Sequence, residues 1–271
     1  DLNDVSFGKN TLVAVGGGYK YEGGVWFRLG GIIIRSTDNG VSWDNVTSIN
    51  NTELNGVTFG NNTFVSVGSS SYSEAEEIIV RSTDNGKSWC STNVNKVPGY
   101  YDNYDGTKGG SLSPNPTMNA VSYGNNIFVA VGVQWEWNGE VSLRKGTIWR
   151  SADNGHNWHK VTSPAEIHFN DVTFGNNTFV AVGDNGTIVR STDNGANWDD
   201  ATVPATLSIY RVWGAGFGNN TFVGTTHWGK IVRSTDNGSS FSYVTDGYCS
   251  HMNGIYFGNN TFVAVCYGGK M

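Results

Sequence analysis

Short runs of β-branched and aromatic residues alternate with polar, glycine-bearing breaks along the chain, and the breaks recur. In "FNDVTFGNNTFVAVGDNGTIVRSTDNGANWDDATV", which starts at Phe169, four apolar runs are separated by Asn-Asn, Asp-Asn-Gly and Asp-Asn-Gly again. Such runs between such breaks predict four strands joined by three hairpins. Asn and Gly tolerate the positive φ that two-residue hairpin loops demand, and Asn can also bond its own backbone. The unit, about forty residues long before insertions, begins at Leu2, Leu54, Met118, Phe169, Val212 and Met252. Five copies hold all four runs, whereas the sixth, "MNGIYFGNNTFVAVCYGGKM", holds the first two.

Composition agrees with many short strands and tight turns: 37 Gly, 5 Pro and 13% aromatic residues in 271. The net charge of -6 and the lack of a Lys/Arg cluster exclude a phosphate-backbone partner such as nucleic acid. No apolar stretch is long enough for a membrane-spanning helix, so no membrane insertion is expected.

The break before the fourth run is nearly invariant. It holds Ser36, Asp38, Gly40 and Trp43 in the first copy, then Ser82, Asp84, Gly86 and Trp89 in the second. The third copy has Ser151, Asp153, Gly155 and Trp158, the fourth Ser191, Asp193, Gly195 and Trp198, and the fifth Ser234, Asp236, Gly238 and Phe241. In such a turn Ser and Asp can bond the backbone, Gly supplies the unusual φ, and the aromatic ring can cover the hairpin base. This S-x-D-x-G-x-x-W pattern resembles the Asp-box, or bacterial neuraminidase repeat. The resemblance covers the whole chain apart from insertions. It implies an all-β fold, a β-propeller of four-stranded antiparallel blades similar to sialidase-like and photosystem II assembly factor-like propellers. On that basis we expect one propeller domain over 1–271, with blades 2–53, 54–117, 118–168, 169–211 and 212–251 and a partial blade 252–271. The natural chain is expected to continue past Met271, or a partner to cover the open blade edge.

In an up-and-down blade the first and third turns share one face, and these hardly change in length here. Insertions fall on the opposite face, where long loops on a rigid scaffold usually carry function. They are rich in aromatic residues, which give large contact area at little entropic cost. The ligand-binding candidates are Trp26, Arg28, Tyr100, Tyr101, Trp135, Trp137, Arg144, Tyr210, Arg211, Trp213, His227, Trp228 and Tyr267. Arg28, Arg144 and Arg211 do not repeat, and the resemblance to sialidases suggests a three-arginine clamp for a carboxylate. Arg35, Arg81, Arg150, Arg190 and Arg233 repeat before the turn Ser and read as structural. Asn3, Asn55, Asn119, Asn170 and Asn253 share one position, taken by Trp213 in the fifth copy, and are expected to satisfy backbone groups between blades.

A glycosidase needs two placed carboxyl groups, and no acidic residue here lies in a recognisable catalytic phrase. The turn aspartates are committed to turns. Neither the turn, with its single carboxylate, nor the five histidines form a metal-ligand pattern, so no metal and no cofactor are expected. Cys249 and Cys266 fall where they could form a disulfide, which would favour an extracellular or cell-surface location. The leading function is therefore non-enzymatic recognition of a glycan or a protein surface by the aromatic loop face. The alternatives are a sialidase-like or other glycoside hydrolase and an assembly or scaffold factor.

Overall fold

A computed structural model of the protein describes residues 1–49, 52–70, 78–94, 117–137, 142–246 and 252–266. Its contacts divide the chain into two units. One comprises Asp1–Met118, Gln134–Arg144 and Ser151–His159; the other comprises Asn119–Val133, Lys145–Arg150 and Lys160–Met271. Repeat 3 contributes residues to both.

Sequential antiparallel sheets build each unit. In the first unit, repeat 1 forms Leu2–Gly8, Thr11–Glu22, Val25–Ser36 and Asp44–Ile49 in that spatial order. Repeat 2 forms Thr52–Gly60, Thr63–Ser70, Ile78–Ser82 and a short Cys90–Ser91. In the second unit, repeat 4 forms Phe169–Gly175, Thr178–Gly183, Ile188–Ser191 and Asp199–Asp200. Repeat 5 forms Val212–Gly218, Thr221–Thr226, Lys230–Ser234 and Ser242–Asp246, and repeat 6 gives the pair Met252–Gly258 and Thr261–Cys266.

One insertion differs from expectation. The segment around "YKYEGGVWF" in repeat 1 is not an irregular loop but a continuation of the second and third strands, with Tyr19 opposite Arg28 and Tyr21 opposite Trp26. Gly23 and Gly24, with φ of 61° and 85°, close this ribbon. Backbone pairing keeps the extension regular, because a long insertion with matched arms can satisfy its own N–H and C=O groups.

The turn between first and second strands follows the hairpin chemistry. Both of its residues are left-handed in every copy, with φ from 44° to 62° at Lys9/Asn10, Asn61/Asn62, Asn125/Asn126, Asn176/Asn177, Asn219/Asn220 and Asn259/Asn260. That is the geometry whose twist matches the flanking strands.

The turn between third and fourth strands is a closed hydrogen-bond circuit. In all five copies the buried Ser hydroxyl donates to Asp Oδ1 at 2.7–2.9 Å. The same hydroxyl accepts the Gly N–H at 2.9–3.0 Å. Those glycines, Gly40, Gly86, Gly155, Gly195 and Gly238, hold φ between 75° and 87°, the left-handed backbone expected of them. Gly155 is buried, as are Gly86, Gly195 and Gly238, so their place is within the fold and not on a contact surface. Asp Oδ1 also accepts a backbone N–H four residues on, at 2.9 Å. The side chain of that residue, Ser42, Ser88, Asn157, Asn197 or Ser240, donates to Asp Oδ2 at 2.5–2.7 Å. Trp43, Trp89, Trp158 and Trp198 donate Nε1 to the carbonyls of Gly40, Gly86, Gly155 and Gly195 respectively, at 3.1–3.2 Å.

These donors fix the charge state of the carboxylates. At Asp38 the Ser42 hydroxyl, the Ser42 N–H and the Ser36 hydroxyl lower the pKa to about 2. At Asp84, Asp153, Asp193 and Asp236 burial acts to raise it, but the bonds from side chains and backbone together outweigh that and leave about 2.

Neighbouring repeats are joined by a few recurring contacts. The Gly that ends the first strand of repeats 1, 3, 4 and 5 lies under an aromatic ring of the next repeat. A Cβ at Gly8, Gly124, Gly175 or Gly218 would come within 2.0–2.1 Å of Phe59, Phe174, Phe217 or Phe257 respectively. These glycines are required by space. The first-strand Asn donates to a carbonyl of the next repeat: Asn3 to Leu54, Asn55 to Met118, Asn119 to Phe169 and Asn170 to Val212, at 2.6–2.9 Å. Where Trp213 replaces Asn, the Thr225 hydroxyl reaches the corresponding Met252 carbonyl instead, at 3.4 Å. Asp4 accepts the Val57 N–H and Asp171 the Ala215 N–H, both at 2.8 Å. Burial pushes the Asp4 pKa up to about 6 against the lowering effect of the Val57 and Val5 N–H groups.

The turn Asn couples the Ser-Asp turn to the preceding repeat. Asn85, Asn154 and Asn237 donate to Thr11, Thr63 and Thr178, at 2.5–2.6 Å. Arg35, Arg150 and Arg190 donate to the backbone carbonyls of Asn85, Asn194 and Asn237 in the next repeat. Repeat 3 carries Ile127 where the others carry Thr, and there Asn125 donates to Asn194 Oδ1 at 3.0 Å. Asn176 likewise donates to Asn237 Oδ1 at 3.1 Å. Asn85 Oδ1 and Asn154 Oδ1 are buried with no partner among the described residues, although repeat 1 has Lys9 and repeat 2 has Asn61 at that donor position.

The packed cores follow the same interleaving. Val13, Val15, Ile33, Leu54, Val57, Phe64 and Val80 form one cluster in the first unit. In the second, Val129, Phe169, Phe179 and Trp198 belong to one cluster, and Val182, Val212, Phe222 and Phe241 to another. Each mixes residues of consecutive repeats, so neither face of an inner sheet is left to water.

Two outcomes are expected. Lys9→Asn relieves a Lys held at φ 50°. It should raise stability in urea unfolding by about 0.5–1.5 kcal/mol. The second concerns acid. A carboxylate with a depressed folded pKa stabilises above its unfolded value and loses that contribution as pH falls toward the folded one. The melting temperature should therefore drop steeply between pH 4 and pH 2, with a shallower limb in Asp236→Asn. Asp4 has the opposite sign, its contribution declining as pH rises from about 4 to about 6.

Candidate functional site

In each antiparallel sheet the start of the first strand, the end of the second, the start of the third and the end of the fourth lie together, at the end away from both constant turns. At this end of the second unit a polar cluster forms between repeats 4 and 5. Asp184 and Gly186 bound a short 3-10 turn after the second strand of repeat 4. Its Asn185 and Gly186 take φ of 54° and 71°, as a tight turn requires, and the Leu207 carbonyl sits where a Gly186 Cβ would stand. The Gly186 N–H donates to the Tyr210 carbonyl at 2.6 Å, which ties this turn to the connection leading into repeat 5.

That tie sets the side chains. Arg211 Nε lies 3.2 Å from Asp184 Oδ1, and Asn170 donates to the same oxygen at 3.3 Å. His168 Nδ1 stands 3.8 Å from Asp184 Oδ2, and its Nε2 is 2.6 Å from the Asn119 amide nitrogen. The Arg211 guanidinium carbon is 5.4 Å from the Trp213 ring centroid, within cation–π range. Trp213 Nε1 is buried with no acceptor among the described residues. The His227 N–H donates to the Arg211 carbonyl at 2.9 Å, and the His227 and Trp228 rings meet edge to face at 4.9 Å.

Trp228 is the outlier. It occupies φ 70° beside Gly229 at φ 72°, in a turn between second and third strands, and is 63% exposed. Every other non-glycine residue with positive φ among those described is Asn, apart from Lys9. A bulky aromatic in that region costs energy that Asn or Gly would avoid, so the fold does not choose it.

Five sequence candidates, Tyr210, Arg211, Trp213, His227 and Trp228, are thus gathered around one turn pair. Arg144 is exposed and belongs to the other unit. Trp26, Arg28, Trp135 and Trp137 lie on strand backbone, with side chains outside the described residues, and Tyr100, Tyr101 and Tyr267 lie outside them altogether. Arg211 directs its Nε to Asp184 and its face to Trp213. The residues of the Ser-Asp turns, Ser151, Asp153, Gly155 and Trp158 in repeat 3 for instance, bond to one another at the far end of their own sheets and take no part in this cluster. Cys266 is disulfide-bonded, and Cys249 lies outside the described residues. Cys90 is a free, exposed thiol. No metal-ligating cluster occurs among the described residues.

Two residues of the cluster were not foreseen. Asp184 sits in an Asp-Asn-Gly that reads as a hairpin turn alone, and His168 precedes a first strand with no motif around it. The available signal was topological: both occupy connections at the end where Arg211 also falls. A third omission is the Ser or Asn before each turn aromatic, present in all five copies and required by Asp Oδ2.

No family model matches the chain, and no curated protein matches its sequence. Solved structures do match. A structure described as YCF48 bound to D1 peptide is 16% identical, with a TM-score of 0.56 over 93% of this chain and 69% of that one. A Trypanosoma rangeli sialidase, in complex with 2,3-difluoro-KDN, is 14% identical, with a TM-score of 0.55 over 96% of this chain and 50% of that one. YjhT is 10% identical, with a TM-score of 0.58 over 98% and 91%. At these identities the likeness establishes the fold, a β-propeller similar to those of YCF48 and the sialidase.

Proposed function

We propose that this chain is a non-enzymatic binding propeller that recognises a protein surface, through the end of its sheets opposite the Ser-Asp turns. Trp228 carries the reading. A large ring at positive φ, mostly exposed, beside a guanidinium stacked on a second Trp, is costly for folding and well suited to contact. Exposed aromatic and Arg side chains on a rigid frame are the usual anchors of such interfaces. The similarity in fold to a YCF48 structure with bound peptide favours a protein partner over a glycan. The disulfide at Cys266 fits an extracellular or cell-surface setting.

The experiment selects binders from a random-peptide display library and, in parallel, from a glycan array, against the native protein, Trp228→Asn and Arg211→Gln. Trp228→Asn creates an Asn-Gly turn and should raise folding stability by about 1 kcal/mol while weakening selected peptides about tenfold or more. Peptides that bind both variants unchanged would refute the proposed surface, and binders found only on the glycan array would reassign the partner class. Turnover of a fluorogenic sialoside would move the protein to the hydrolases.

A further inference from the structure

One of the bonds from a first-strand Asn to the next repeat is shared with a group that takes up protons. Asn119 Nδ2 donates to the Phe169 carbonyl at 2.6 Å, as Asn3, Asn55 and Asn170 donate to Leu54, Met118 and Val212. The residue just before each acceptor differs: Glu53 before Leu54, Thr117 before Met118, His168 before Phe169 and Arg211 before Val212. At the junction of repeats 3 and 4 the His168 ring meets the bond itself, its Nε2 lying 2.6 Å from the same Asn119 Nδ2.

That contact fixes the proton on the ring. A carbonyl only accepts, so the part of the Asn119 amide turned to Phe169 is its NH2. The amide nitrogen has no lone pair to offer, so His168 Nε2 is the acceptor and the proton of the neutral imidazole sits on Nδ1. Nδ1 faces Asp184 Oδ2 at 3.8 Å, and the Asp184 N–H holds the pair together by donating to the His168 carbonyl at 3.0 Å. The other Asp184 oxygen serves Arg211 Nε at 3.2 Å and the Asn170 amide at 3.3 Å. The third strand of repeat 3 also packs here, Gly146 lying against the Ile167 carbonyl, and its Lys145 pairs with Glu166 at 3.1 Å. The His168 and Asp184 side chains are 18% and 13% exposed, enough to exchange a proton with water and too little for water to replace a lost partner.

We propose that His168 is a proton-operated switch on the grip that Asp184 keeps on Arg211. A proton from solvent adds to Nε2, and the new N–H points at the Asn119 NH2, donor against donor. The ring leaves Asn119, whose bond to Phe169 stays, and as an imidazolium it closes on Asp184. Asp184 then serves two cations, and the new positive charge repels the guanidinium as well. Arg211 is therefore held less firmly at mildly acidic pH than at neutral pH. The effect on partner binding rests on this end of the sheets being the contact surface, whereas the switch itself does not.

Nuclear magnetic resonance of the whole 271-residue chain without a partner reads the switch. The titration runs from about pH 8 to about pH 5, which brackets the range in which imidazole ordinarily takes up a proton. At the alkaline end His168 should carry its proton on Nδ1. As pH falls, the Arg211 Nε signal should move toward that of a water-exposed arginine, and the Asn119 Nδ2 signal should move with it, both with the midpoint of His168 itself. His168→Gln offers Asn119 an acceptor oxygen at every pH and should abolish both movements. Asn119→Ala removes the donor that opposes the proton, so His168 should titrate at higher pH there, with Arg211 following. Neutral His168 protonated on Nε2, a His168 that stays neutral down to about pH 5, or an Arg211 signal that moves at another midpoint or persists in His168→Gln would each overturn the proposal. Arg211 moving with His168 while selected peptides bind equally at both ends of the titration would uphold the switch and separate it from binding.

Discussion

An aromatic ring resting on a bare glycine backbone is the contact on which this chain depends. Phe59 on Gly8, Phe174 on Gly124, Phe217 on Gly175 and Phe257 on Gly218 bring the first strands of consecutive repeats so close that no side chain fits between them. Inside each of repeats 2, 4, 5 and 6 the same Phe also packs on a Phe of the second strand at 4.6–4.7 Å. One ring therefore belongs to two sheets. Because repeats bury each other's faces, the other fasteners work at the same spacing along the chain. Turn Asn to Thr and Arg to turn carbonyl join the repeats at the same end of the sheets, and first-strand Asn to carbonyl joins them at the other.

This arrangement leaves the two ends of the sheets with different freedom. At the turn end the Ser, Asp and Gly of each turn are bonded to one another and the turn Asn and the preceding Arg reach a neighbouring repeat, so changing one breaks a circuit shared by two repeats. The opposite end repeats the bond from the first-strand Asn to a carbonyl of the next repeat, but around it unlike residues accumulate: Asp184 with Arg211, His168 with Asn119, and Trp228 in a backbone conformation that a scaffold position would give to Asn or Gly. The division between a constant fastening end and a variable recognition end follows from where neighbour contacts consume the available hydrogen bonds.

The hairpins were legible in the sequence because Asn-Asn and Asp-Asn-Gly have few backbone options, and positive φ is confirmed at each such Asn described. The Ser-Asp turn was legible by repetition, although its last donor, alternating between Ser and Asn, was hidden by its change of identity. The demand for Gly8, Gly124, Gly175 and Gly218 was not legible, since those glycines have ordinary φ and are required only by a ring from another repeat. Tyr210, Arg211, Trp213, His227 and Trp228 stood out as aromatic or cationic residues in connections. Asp184 and His168 did not, because a lone acid in a turn motif and a lone imidazole carry no spacing signal until topology sets them beside Arg211 and Asn119.

A double-mutant cycle on Gly175 and Phe217 probes the ring-on-backbone contact most directly. Gly175→Ala in the native background should cost about 1–3 kcal/mol, the usual range for forcing an extra methyl into a filled site. In the Phe217→Ala background, where the ring that occupies that space is gone, the same substitution should cost close to nothing. Equal costs in the two backgrounds would mean that the ring does not enforce the glycine, and that the repeats are held together by something else.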